Sequence, residues 1–76
     1  ALMPLAFRDL KEEVEAEGYS LEMTSKGHYW VITPSGGKLI TFAVNHKQNS
    51  RGEVFDSYVS KVRKAIREDQ RKEELV

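Results

Sequence analysis

The fold is decided by residues 19–44, YSLEMTSKGHYWVITPSGGKLITFAV. Tyr19, Leu21 and Met23 alternate with Ser20, Glu22 and Thr24, the period of two that marks a strand. Ser25-Lys26-Gly27 reads as a three-residue hairpin loop with Gly27 in the left-handed position. A second strand is expected from His28 to Thr33, a turn at Pro34-Ser35-Gly36-Gly37, and a third strand from Lys38 to Val44. The turns imply a register. With Thr24 and His28 flanking the first loop, Met23 faces Tyr29, Glu22 faces Trp30 and Leu21 faces Val31. The second turn sets Val31 opposite Ile40, Tyr29 opposite Phe42, Trp30 opposite Thr41 and Ile32 opposite Leu39. Directly opposed residues share a sheet face. One face is then Tyr19, Leu21, Met23, Tyr29, Val31, Ile40, Phe42 and Val44, which must be covered. The other carries Glu22, Thr24, His28, Trp30, Ile32, Leu39, Thr41 and Ala43.

Helical periodicity lies on either side of this meander. Pro4 suits a first helical turn, and Phe7, Leu10 and Val14 follow at spacings of three and four. Glu12, Glu13, Glu15 and Glu17 take the solvent side, and Gly18 is the expected left-handed stop. After a polar loop from Asn45 to Asn49, Ser50-Arg51-Gly52-Glu53 fits a capping box that opens a second helix. Its stripe is Phe55, Tyr58, Val59, Val62 and Ile66. The predicted class is α+β, in the order α-β-β-β-α, with both helices on one face of a three-stranded antiparallel meander. The 76 residues suffice for one domain, with a core over 4–67 and a charged tail or helix extension over 68–76.

Composition narrows the function classes. There is no cysteine, so disulfides and thiolate metal sites are excluded. No apolar run approaches the roughly 20 residues of a membrane span, and Ala1-Leu2-Met3-Pro4 lacks the marks of a secretory leader. The expectation is a cytoplasmic protein with no membrane partner and no cofactor. The net charge of zero hides a division, since Ser25 to Arg67 holds 8 basic and 2 acidic residues. An anionic partner therefore fits the middle of the chain.

No phosphate-binding glycine loop, metal-ligand spacing or serine-nucleophile motif is present. The histidines are the natural proton-transfer groups, because a free imidazole titrates near ~6.5. Metal-free RNA cleavage needs a base for the 2′-hydroxyl proton, an acid for the leaving 5′-oxygen, and cations for the phosphate. His28, beside the hairpin glycine on the open face, is the candidate, with Lys26 near it for phosphate; His46 beside Lys47 is the second histidine. Arg63, Lys64, Arg67 and Arg71 form a basic stripe on the second helix that suits a phosphate backbone or simply a solvated face. Trp30, Ile32 and Leu39 form an apolar patch on the open face, the kind that marks contact with a partner.

Gly18-Tyr19, the polar hairpin, Gly27-His28-Tyr29-Trp30-Val31 and the Pro34-Ser35-Gly36 turn resemble the HicA family of small mRNA-interferase toxins. The resemblance implies a double-stranded-RNA-binding-like fold. It also implies metal-independent RNA cleavage by a histidine at the start of the second strand, which is His28 here. It further implies neutralisation by a cognate HicB-like antitoxin, and kinship with phage relatives. The sequence departs from the family pattern at Gly27 and Tyr29, where many members carry a serine and a second histidine, and at Gly52-Glu53-Val54-Phe55, where true double-stranded-RNA binders are lysine-rich. Three readings follow: a HicA-like RNA endonuclease using His28, a non-catalytic module binding a protein or its own copy through Trp30, Ile32 and Leu39, and a non-catalytic RNA or DNA binder.

Overall fold

The computed structural model describes residues 5–45 and 52–74. The elements run β1 (Leu5–Ala6), α1 (Phe7–Ala16), β2 (Ser20–Ser25), β3 (His28–Ile32), β4 (Lys38–Ala43), β5 (Glu53–Val54) and α2 (Asp56–Glu74). The strands β2, β3 and β4 form an antiparallel meander in sequence order. The fold is the expected α+β arrangement of two helices on one sheet face. Leu10 and Val14 of α1 and Val59, Val62 and Ile66 of α2 bury themselves against Tyr19, Val31, Phe42 and Val44. Burying each such side chain contributes roughly 1.5–3 kcal/mol against the entropy of ordering the chain. Phe7, Tyr29 and Phe42 extend the core as a ring series, with centroids 4.7 and 5.8 Å apart.

The first helix stops where its hydrogen-bonding potential can be closed. Gly18 takes φ +88° and donates its N–H to the Glu15 carbonyl, and Tyr19 donates to Val14. This paired closure turns the chain from helix into β2 and delivers Tyr19 to the core. The second helix has Asp56 in its first turn and Arg71 and Lys72 in its last, charges that complement the backbone dipole. It continues into the expected tail as far as Glu74, and the turn that follows α1 is bonded to it there. The Tyr19 hydroxyl donates to the Asp69 carboxylate, and Gln70 donates to Glu17 at 3.1 Å. Nearly two turns earlier in α2, Arg63 grips Glu13 through two bonds of 2.7 and 2.8 Å.

Most of the expected register is present: Leu21–Val31, Glu22–Trp30, Met23–Tyr29, Tyr29–Phe42, Trp30–Thr41 and Val31–Ile40. Two pairs differ. Ser25, not Thr24, opposes His28, with an irregularity after Met23, although Gly27 has the expected positive φ of 79°. At the other end Lys38, not Leu39, opposes Ile32. The Thr33 hydroxyl accepts the Gly37 N–H at 2.9 Å, and the Thr33 N–H donates to the Gly37 carbonyl at 2.7 Å. This closes the turn around residues 33–37 and leaves one extra residue in β4. A bulge sets two neighbours against one partner, and Leu39 packs against the core instead of standing on the open face.

Three further expectations are corrected. Met23 lies on the covered side but is 62% exposed, since it sits at the hairpin end of an edge strand. Phe55 is not part of the α2 stripe. It precedes the helix, its carbonyl accepts the N–H groups of Tyr58 and Val59, and its side chain is 48% exposed. Glu53 does not belong to the first turn of α2, which begins at Asp56; it lies in β5, exchanges backbone bonds with Asn45, and pairs with Ala6. Pro4, His46, Lys47 and Ser50 lie outside the described residues. The β1–β5 pairing has no counterpart in the sequence reading. It sets Leu5 opposite Val54 and ties the entrances of the two helices together.

Two stability outcomes follow. A Cβ at Gly18 would meet Pro34 at an ordinary 3.7 Å, so Gly18→Ala is penalised by backbone conformation alone. It is expected to cost about 1–2 kcal/mol, read from urea midpoints. The Arg63 hydrogen bonds hold the Glu13 carboxyl below its ordinary value. A depressed carboxylate stabilises the fold above its unfolded pKa and loses that contribution as pH falls through the folded one. Glu13→Gln is therefore expected to lower stability near neutrality by under about 1 kcal/mol, because both side chains are nearly half exposed. The gap between variant and parent should close in acid; a gap that persists there would contradict this account.

Candidate functional site

His28 is the first residue of β3 and is exposed to solvent. Its backbone is held on both sides. The Gly27 carbonyl accepts the Val44 N–H at 2.7 Å, and the Thr24 hydroxyl reaches the His28 carbonyl at 3.4 Å. The turn residue Lys26 is also exposed. His28 opposes Ser25 on β2 and Ala43 on β4. Its neighbours Tyr29 and Val31 face the helices, so His28, Trp30 and Ile32 face away from them.

The open face is built in rows across the sheet. Ser25, His28 and Ala43 make the first, Glu22, Trp30 and Thr41 the second, and Ser20, Ile32 and Lys38 the third. Trp30 and Ile32 are half-buried, and the Lys38 ammonium sits 5.5 Å from the centre of the Trp30 ring. The expected apolar patch of Trp30, Ile32 and Leu39 is thus a different surface. Its third member is half-buried against the core, and a lysine occupies the place. Sequence spacing assigned Lys38 only to the start of a strand. The side-chain closure of the turn by Thr33 is the signal that would have placed it here.

The basic residues of α2 are not gathered around His28. Arg63 is engaged by Glu13, and Lys64 and Arg67 are exposed in the helical layer on the other side of the sheet. Arg63 and Arg67 line a cleft of about 240 Å³ with Glu13, Glu17, Ile66 and Gln70. The two acids in that cleft oppose any use of it as a phosphate site. Arg71 is exposed near the end of α2. Among the described residues, no three His, Cys, Asp or Glu side chains assemble as metal ligands, and no helix is long and apolar enough to cross a membrane.

The chemistry of the open face is therefore one imidazole, one indole and the Lys38 ammonium, with Glu22 at one flank and the exposed Lys26 in the adjoining turn. That set can accept and donate a proton, attract an anion and stack against a flat ring. In the helical layer Arg63 is already paired with Glu13, and Lys64, Arg67 and Arg71 lie on the side of the sheet away from His28. No family model matches the chain, and no curated protein and no solved structure matches it either.

Proposed function

We propose that this domain is a HicA-like RNA endonuclease that cleaves without a metal ion, with His28 as its proton-transfer residue. The observation that carries the reading is the exposure of His28 on an open sheet face, with Lys26 before it in the turn and Lys38 beyond it. In the proposed reaction the imidazole takes the proton of an RNA 2′-hydroxyl. The freed oxygen attacks the adjacent phosphorus and the bond to the 5′-oxygen breaks. A cyclic phosphate remains on one fragment, and the leaving oxygen takes a proton from the imidazolium or from water. Lys26 offsets the charge that builds on the phosphate. Apart from the added β1–β5 pair, the order α1, β2, β3, β4, α2 is the one expected of a double-stranded-RNA-binding-like fold, which supports the same reading.

The position of Leu39 bears on the alternative of a non-catalytic protein-docking module. With Leu39 packed against the core and Lys38 over the Trp30 ring, less apolar area is left for a partner to cover. A HicB-like antitoxin or a second copy of the chain remains compatible with the face as an inhibitor seated over His28.

His28 is exposed, so His28→Ala should leave the unfolding midpoint within about 0.5 kcal/mol of the parent. It should reduce cleavage of an RNA strand about a hundredfold or more. Induced in a bacterial host, the parent is expected to arrest growth with loss of total RNA, and the variant to relieve both. A folded His28→Ala protein that cleaves as fast as the parent would remove His28 from the chemistry.

A further inference from the structure

We infer that Trp30 is a stacking platform that seats one base of a single-stranded RNA beside the phosphate attacked at His28. The inference takes its substrate from the ribonuclease reading above. It adds the residue that holds the strand and the strand form that is selected.

Trp30 and His28 are two positions apart on β3 and share the open face. Side chains so placed are about 6.5–7 Å apart, close to one nucleotide step of an extended strand. A base on the indole therefore puts the neighbouring phosphodiester over the imidazole. The Lys38 ammonium lies over the Trp30 ring, 5.5 Å from its centre, and a base that takes that face displaces it toward the flanking phosphate, while Lys26 is the exposed cation of the turn before His28. Between them the β4 side of the line carries only Thr41 and Ala43, which are too short to block a nucleotide. Glu22 stands opposite Trp30 on the β2 side. Its charge turns a polyanion away from that flank, so the phosphates follow the β4 side toward Lys38.

The platform distinguishes strand forms. A base inside a duplex has both faces covered by its neighbours, whereas an unpaired base offers a π-face to an aromatic side chain. A duplex laid on this sheet could reach the lysines but could not stack on Trp30.

The chain has a single tryptophan, so its own emission reports on the site. The full chain is titrated with a single-stranded 2′-O-methyl RNA, which lacks the hydroxyl proton needed for cleavage, and with the same sequence as a duplex. The expected result is quenching by the single strand and none by the duplex. By anisotropy of a labelled strand, Trp30→Ala should bind about tenfold more weakly, and Trp30→Phe should retain most of the affinity. The parent titration needs no variant, so misfolding of Trp30→Ala would not blunt the test. Absence of quenching, or equal quenching by the duplex, overturns the platform. An emission change on raising protein concentration alone, without RNA, also overturns it, because a second copy would then occupy the face. Quenching without cleavage of ordinary RNA keeps the platform and removes the ribonuclease reading. Cleavage without quenching does the reverse.

Discussion

A sheet has two faces, and two helices laid side by side cover one of them. In this chain that constraint governs the rest. Val31 and Phe42 sit in the middle of the covered face and are almost wholly withdrawn from water, so α1 must lie over β2 and α2 over β4. The helices then meet along a polar seam. Arg63 with Glu13 joins them there, and Gln70 with Glu17 and the Tyr19 hydroxyl with Asp69 continue the seam just past the end of α1. The opposite face is left without a covering element among the described residues, and His28 and Trp30 stand on it.

Much of this layout was legible in the sequence because alternation is a strong signal. Every pairing in the middle of the strands follows from the two turns and the period of two. The pairings failed at strand ends, where side chains rather than backbone periodicity set the count. Thr33 closing on Gly37 adds a residue to β4, and that residue is Leu39. The two-residue strands β1 and β5 are too short to show a period at all. Glu53 followed a capping pattern in sequence, but tertiary pairing with Ala6 and Asn45 claimed its backbone.

The candidate site was readable in part for the same reason. His28 and Trp30 lie inside the regular stretch of β3, and their side of the sheet could be foreseen. Lys38 depended on the bulge and could not. Arg63 carries the right charge for phosphate at a sensible helical spacing. Only the folded arrangement reveals that a carboxylate fifty residues earlier already holds it.

The ties across the helical seam have a consequence for the order in which the chain folds. Each joins residues 50 or more positions apart, whereas the hairpin strands meet across a few. The entropy of closing a loop grows with its length, so the seam is costly to form from an extended chain. Once the meander is paired, the intervening chain is already gathered and the remaining gap is short. The local hairpins are therefore the natural nucleus, and the docking of α2 against α1 is the late step.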